Sequence, residues 1–152
     1  MPTLKDQLRA DLTTAMKARD EIRTRTLRLA LTSISNEEVS GAAPRDLADD
    51  EIVKILTREA KRRREAAAAF AEAGRVDQAA AEQAEEEVLA TYLPAQLDDA
   101  ELAALVAAAI TETGASGPSG IGQVMKAVTP KVAGRAEGSR VAAMVRGQLA
   151  GT

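Results

Sequence analysis

The spacing of apolar residues is the feature that most constrains the fold of this chain. Seven stretches repeat apolar side chains at three- and four-residue intervals, and no stretch of useful length alternates between apolar and polar residues. In the first stretch, Leu4, Leu8, Leu12 and Met16 recur every four residues and are expected on one helix face. The pattern predicts an all-α protein without a β-sheet.

Helix ends can be located from residues that cap them. Thr3, Asp20 and Asp98 each precede an apolar-periodic stretch and are typical of N-terminal caps, and Gly114 lies where a C-terminal cap belongs. Pro130 falls inside the sixth stretch and is expected to break that helix.

A change in composition and in the length of the helical stretches near Pro94 predicts two domains. Long, alanine-rich helical stretches precede this residue, whereas short stretches separated by glycine-containing turns follow it. We expect a multihelical N-terminal domain over residues 1–94 and a small C-terminal three-helix unit over residues 95–152.

The chain offers few side chains suited to catalysis. Its 152 residues include no cysteine and no histidine, so thiol nucleophiles, disulfides, the usual zinc sites and histidine general bases are all missing. Phe70 and Tyr92 are the only aromatic residues, which leaves an aliphatic core between closely packed helices. We expect no catalytic residue, no cofactor and no bound metal, and we leave open whether the chain assists an enzyme.

The stretch G-P-S-G-I-G-Q-V at residues 117–124 has the glycine spacing of a phosphate-binding loop. Gln123 and Val124, however, stand where such a loop needs a lysine and a hydroxyl residue. We therefore expect Gly117, Gly120 and Gly122 to form a helix entrance and to bind no nucleotide. If Gly122 has a positive φ, its replacement by alanine should lower stability by about 1 kcal/mol or more.

Positive charge is unevenly placed, although the formal net charge is -3, and residues 1–30 have seven Lys or Arg residues against four Asp or Glu. The candidate contacts lie in two other places. The first is K-R-R-R at residues 61–64, within a stretch 54–64 that has six Lys or Arg residues against Glu59 alone, and the second is the segment 114–152, which has five against Glu137 alone. The candidate contacts to RNA phosphates are Lys61, Arg62, Arg64, Lys126, Lys131, Arg135, Arg140 and Arg146. The alternatives are a solvated helix face at the first place, and at the second a pair of glycine turns in which Arg135 caps a helix end.

The triplet Glu85-Glu86-Glu87 could suggest a metal site. A di-iron bundle of that kind also needs histidines next to its glutamates, and the chain has none. We expect the three carboxylates to be solvated on the surface. Met125 and Met144, at helical spacing beside Val124 and Val145, are expected in the core.

Nothing in the sequence indicates membrane insertion or export. No stretch approaches the roughly 18 to 20 uncharged residues of a membrane span, and the N-terminal M-P-T-L-K-D lacks the basic and apolar parts of a signal segment. The sequence predicts a cytoplasmic protein without a membrane partner.

The C-terminal sequence resembles the YqeY family of small GatB/YqeY-domain proteins. Its pattern G-x-V-M-x-x-V-x-P-K-x-x-G-R-A-[DE]-G-x-x-V is met from Gly122 to Val141, with Glu137 where the family usually has aspartate and Lys126 where it often has glycine. The stretches Y-L-P-A-Q-L at 92–97 and K-R-R-R-E-A-A-A-A-F-A-E-A-G-R at 61–75 extend the resemblance over essentially the whole chain.

The resemblance implies a role in RNA recognition. A domain of this family is appended to the B subunit of the glutamine-dependent tRNA amidotransferase, where it helps to hold the tRNA while other parts perform the chemistry. The expected function is therefore a non-catalytic module that binds tRNA or another structured RNA. The alternatives are a protein-interaction adaptor for the amidotransferase or an aminoacyl-tRNA synthetase, and an accessory to carbon-nitrogen ligase activity with glutamine as amido-N-donor.

Overall fold

Residues 2–151 are described by a computed structural model and contain seven α-helices and no strand. The helices are α1 (Leu4–Lys17), α2 (Glu21–Glu38), α3 (Asp49–Glu72), α4 (Val76–Ala90), α5 (Asp99–Thr113), α6 (Ile121–Val132) and α7 (Gly138–Ala150). A short 3-10 turn, Pro118–Gly120, leads into α6. The all-α prediction is confirmed. Within residues 2–151, no helix has both the length and the apolar character needed to cross a membrane.

The contacts divide the chain into two compact units between Leu93 and Pro94. Each unit has a buried aliphatic core of its own, as expected for a chain with so few aromatics. The fully buried large side chains of the first core are Leu8, Leu27, Ile34, Ile52, Leu56 and Leu89. Those of the second are Leu102, Val106, Val124, Val128, Val145 and Leu149. That the two units are independently folding domains stays a prediction.

The predicted helix caps are confirmed. The Thr3 hydroxyl accepts from the Asp6 amide at 3.1 Å, and Asp20 and Asp98 cap α2 and α5 in the same way. Gly114 ends α5 with φ 66°, a left-handed conformation that glycine adopts without steric cost.

The expectation that Met16 lies on the core face of α1 is wrong. Met16 is 43% exposed, and Ala15 is buried in its place. A helix has 3.6 residues per turn, so a four-residue repeat drifts off the buried face within a few turns, whereas Ala15 lies two turns after the buried Leu8.

The expectation that Pro130 breaks the sixth helix is also wrong, because α6 contains Pro130 and continues to Val132. A proline in the last turn removes only the hydrogen bond of its own nitrogen, and few turns remain to be distorted. The helix ends instead at Ala133 and Gly134, whose φ angles are 50° and 77°.

Tyr92 closes the first unit just beyond α4. Its hydroxyl donates to Asp11 Oδ2 at 2.5 Å and lies 3.4 Å from Arg23 Nη2, so it links the end of the unit to α1 and α2. Burial and the Asp11 carboxylate raise the pKa of Tyr92 far above its ordinary value. This hydroxyl therefore stays protonated and keeps its role as a donor.

Candidate nucleic-acid interface

Two of the predicted RNA contacts, Arg135 and Arg140, are bound to backbone oxygens of their own unit. Arg135 donates from Nε to the Val132 carbonyl at 3.2 Å and from Nη2 to the Lys131 carbonyl at 3.1 Å, which satisfies the open end of α6. This is the helix-capping alternative considered for Arg135. Arg135 therefore contacts Lys131 at its backbone carbonyl, and no described contact joins the two cationic groups to a common site.

Arg140 joins the start of α7 to the segment before α5. Its Nη1 donates to the Leu97 carbonyl and its Nη2 to Asp99 Oδ1, both at 2.7 Å. The Leu97 amide in turn donates to the Arg135 carbonyl at 2.8 Å. Arg140 is therefore part of the scaffold of the second unit, and its removal should affect the fold as well as any ligand.

Three other candidates of the second unit present exposed cationic groups. Lys126 on α6 and Arg146 on α7 are exposed, and neither has an ion pair with any residue that the structure describes. Lys131 lies 2.7 Å from Glu112 Oε2, and the two side chains are 43% and 60% exposed. Such surface pairs contribute little and exchange easily for another anion. No described contact joins Lys126, Lys131 and Arg146 to one another.

The three candidates on α3 each have a glutamate partner, so their charge is offset more fully than that of the candidates in the second unit. Arg64 lies 3.0 Å from Glu86, Lys61 lies 4.0 Å from Glu65, and Arg62 lies 3.5 Å from Glu59. The Arg62 side chain is nevertheless 76% exposed, so its single long contact leaves much of the guanidinium available.

The expectation of a solvated glutamate triplet is wrong for Glu85, which is only 8% exposed. Glu85 Oε1 accepts from Arg25 Nε at 2.8 Å, and Glu85 Oε2 lies 3.3 Å from Arg63 Nε. Arg63 is 7% exposed and also donates to Glu59 Oε2 at 2.8 Å. A buried carboxylate needs such partners because it has lost its hydration. A charged residue on the apolar stripe of α3 was the signal that could have indicated this network.

Glu59 connects that buried network to the surface between α2 and α3. Partial burial raises the pKa of Glu59, but hydrogen bonds from Arg63 and Ser33 outweigh burial and hold its pKa below the ordinary value. The Ser33 hydroxyl donates to Glu59 Oε1 at 3.2 Å. Glu59 is therefore ionised at neutral pH, and its charge is offset mainly by Arg63.

The three glycines at the start of α6 differ in backbone conformation and in surroundings. Gly117 has φ 68° and ψ 176°, a conformation open essentially to glycine alone. Gly120 is buried, and a Cβ placed on it would lie 2.8 Å from the Ala115 Cβ. Gly122 has neither a positive φ nor a close neighbour, so the strain considered for Gly122→Ala does not apply.

No group of three or more His, Cys, Asp or Glu side chains among residues 2–151 is arranged to hold a metal ion. Within the acidic triplet, Glu85 and Glu86 face arginines: Glu85 lies between Arg25 and Arg63, and Glu86 accepts from Arg64 at 3.0 Å. These carboxylates act as partners of cations in the first unit.

The search of curated proteins found no match to this chain. A family model described as Yqey-like protein matches residues 5–149, which is nearly the whole chain and includes both units. The resemblance found in the sequence motifs is thereby confirmed at the level of the family. The chain belongs to the Yqey-like protein family.

Proposed function

We propose that the chain is a non-catalytic RNA-binding module with tRNA as its ligand. The observation that carries the proposal is the exposure of Lys126, Lys131 and Arg146 in the second unit, where Lys126 and Arg146 have no described ion pair. Cationic groups that are not already neutralised are the ones that can displace counterions from a phosphate backbone. Exposed Lys61 and Arg62 of α3 are secondary contacts in this proposal.

Recognition in this proposal depends on where the cationic groups lie and on the folded shape of the RNA. The chain has only Phe70 and Tyr92 as aromatics, and the Tyr92 hydroxyl is bonded within the first unit, so stacking on unpaired bases has little support. Lysine and arginine contacts to phosphates would orient a folded RNA without reading its bases. A structured RNA such as tRNA fits this chemistry better than a single strand.

The test compares tRNA binding by the full chain and by the triple variant Lys126→Ala, Lys131→Ala, Arg146→Ala. Arg135 and Arg140 stay unchanged because they hold the backbone of the second unit. Three lost phosphate contacts should weaken binding by about 10- to 100-fold at moderate salt. The matched control removes three exposed cations of the first unit, Arg9, Lys17 and Arg75, and should change affinity by less than about threefold.

Circular dichroism of both variants shows whether the helices are retained. A triple variant that remains helical and binds tRNA as tightly as the unaltered chain contradicts the proposal. An equal loss of affinity in the control variant also contradicts it, because binding would then follow the total charge of the chain and not these three residues.

A protein-interaction adaptor is the second candidate function. Ile22 and Leu29 lie seven residues apart on α2 and are 40% and 46% exposed. Exposed apolar side chains on one helix face can dock a partner such as the amidotransferase or an aminoacyl-tRNA synthetase. Two results together would favour this candidate: the triple variant binds tRNA as tightly as the unaltered chain, and Leu29→Ser no longer binds the purified amidotransferase or synthetase.

A further inference from the structure

A polar cleft of about 310 Å³ lies between α2 and α3 in the first unit. The α2 wall carries Ser33, Asn36 and Glu37, whose spacing places them on one helix face, and Ser40 lies two residues beyond the end of α2. The α3 wall carries Arg58, Glu59 and Arg62, and the buried Ile55 also lines the cleft.

The two arginines of this cleft are one helical turn apart, and their side chains make few contacts with other residues. Arg58 is exposed and has no ion pair or hydrogen bond with any residue that the structure describes. Arg62 has one contact, to Glu59 Oε1 at 3.5 Å. Residues four apart on a helix are neighbours, so two guanidinium groups can reach the same ligand. Each guanidinium can also donate two parallel N–H groups to one oxyanion.

The carboxylates in the cleft decide its net charge. Arg63 offsets the charge of Glu59 and donates to its Oε2 at 2.8 Å, and Glu59 Oε1 accepts from the Ser33 hydroxyl. Arg63 is in turn shared with Glu85, whose other partner is Arg25. The charges of Arg25, Arg63, Glu59 and Glu85 therefore balance, although the Arg25 side chain is 55% exposed. Besides these, Glu37 is the one other carboxylate described in the lining with Arg58 and Arg62.

The opposite wall supplies neutral groups that can bind a ligand. The Asn36 side chain has no hydrogen bond with any described residue, and the Ser40 hydroxyl donates to the Glu37 carbonyl at 2.8 Å, which leaves its oxygen lone pairs free. An amide has two donors and one acceptor, so Asn36 can contact a phosphate oxygen or a sugar hydroxyl. The volume is at the lower end of small-molecule sites and exceeds that of a bare anion.

We propose that the α2–α3 cleft binds the phosphate group of a nucleotide-sized ligand, with Arg58 and Arg62 on the phosphate and Asn36 on the attached group. The ligand is either a free nucleotide or a nucleotide of an RNA chain, since both carry the same phosphate. The inference shares Arg62 with the secondary RNA contacts of the proposed function, but it involves none of Lys126, Lys131 and Arg146, so the triple variant tests the proposed function without altering this cleft.

The experiment follows backbone amide signals of the full chain by NMR while adenosine monophosphate is added at constant ionic strength. Adenosine, which lacks the phosphate, is the matched ligand control, and inorganic phosphate reports on the anion site alone. We expect shifts confined to α2 and α3 with adenosine monophosphate and, more weakly, with phosphate. Equal shifts with adenosine and adenosine monophosphate would overturn the proposal, as would shifts scattered over both units.

Variants test the residues. Arg58→Ala should weaken adenosine monophosphate binding by about tenfold, and Arg58→Lys should recover only part of that loss because an ammonium lacks the planar fork. Arg146→Ala, which removes the same charge from the second unit, should leave this binding unchanged. The exposure of Arg58 makes loss of the fold an unexpected result. Binding unaffected by Arg58→Ala would contradict the assignment.

Glu37→Gln gives a result of opposite sign. Removal of the one carboxylate that faces the arginines without a described ion pair should strengthen phosphate binding by a few-fold. Weaker binding of adenosine monophosphate by this variant would mean that the Glu37 carboxylate accepts a hydrogen bond from the ligand and does not repel its phosphate, which would contradict the charge balance given for the cleft. Where Arg58→Ala weakens binding as expected, displacement of adenosine monophosphate by a short RNA identifies RNA as the source of the phosphate, and the absence of displacement identifies a free nucleotide.

Discussion

Gly120 and Gly122 stand two positions apart before and within α6, and their surroundings differ completely. A Cβ on Gly120 would meet the Ala115 Cβ at 2.8 Å, closer than two such atoms approach in folded proteins, and both belong to the packed loop between α5 and α6. Gly122 has open space around its Cα and lies in the first turn of α6. The sequence shows two glycines with equal prominence, but only the fold shows which one is required.

We predict that Gly120→Ala lowers stability by about 1 to 3 kcal/mol, because the loop must shift to accommodate the methyl group. Gly122→Ala should be neutral or stabilising by up to about 1 kcal/mol, since alanine restricts the unfolded chain and favours a helix. Urea unfolding followed by circular dichroism measures both. The opposite order of the two variants would mean that the close approach at Gly120 is not a packing constraint.

Glu85 and Glu87 are neighbours in sequence with very different environments. Glu85→Ala should lower stability by about 2 to 4 kcal/mol, because it leaves Arg63 buried with only Glu59 as a partner. Glu87 is exposed, so Glu87→Ala should change stability by less than about 0.5 kcal/mol. Equal midpoints of urea unfolding for the two variants would show that the buried network adds nothing to stability.

At the scale of helices, the sequence predicts where elements begin better than which side chains they bury. Thr3, Asp20 and Asp98 could be recognised as caps because a cap depends on residues three positions apart. The burial of Ala15 in place of Met16 depends on the turn angle accumulated along α1 and on the packing of α2 against it. Local chemistry was therefore predictable and its three-dimensional consequence was not.

The candidate cations show the same limit. Sequence identifies Arg135, Arg140 and Arg146 as equivalent charges in one basic segment. The fold places backbone carbonyls beside Arg135 and Arg140 and leaves Arg146 exposed without a described ion pair, and these acceptors come from residues up to 43 positions away. The acceptors of Arg135 lie three and four residues away, so its helix-cap alternative could be considered from the sequence. The pairing of Arg140 with Leu97, 43 residues away, leaves no local signal in a single sequence.

The contact between α2 and α3 should make stability depend on pH through Glu59. The pKa of Glu59 in the folded chain lies below its ordinary value of 4.5, so the folded state holds this proton less tightly than the unfolded state does. The resulting stabilisation is fully present above the unfolded-state pKa and is lost as the pH falls through the folded-state value.

We therefore expect the unaltered chain to lose stability between neutral pH and about pH 3.5, and Glu59→Gln to lose less over the same interval. Urea unfolding at several pH values measures the difference. Glu87→Gln, at an exposed position, serves as the control and should follow the unaltered chain. Parallel curves for Glu59→Gln and the unaltered chain would contradict the role given to Glu59.

At the scale of the whole molecule, the two separate cores predict two units that fold on their own. Residues 1–93 and 94–152, produced as separate chains, should each keep the helices that they have in the full chain, because each retains its buried aliphatic core. The shorter piece should be the less stable, since small domains bury a smaller fraction of their surface. Overlay of NMR amide spectra tests this, and an unfolded spectrum for both pieces would contradict it.

The salt dependence of tRNA binding tests the proposed function most directly. The logarithm of the binding constant should fall linearly with the logarithm of salt concentration, with a slope set by the number of phosphate contacts. Loss of Lys126, Lys131 and Arg146 should make that slope shallower by roughly 2 to 3 units, while the control variant of Arg9, Lys17 and Arg75 keeps the original slope. A folded triple variant with the slope and affinity of the unaltered chain would show that Lys126, Lys131 and Arg146 do not contact RNA.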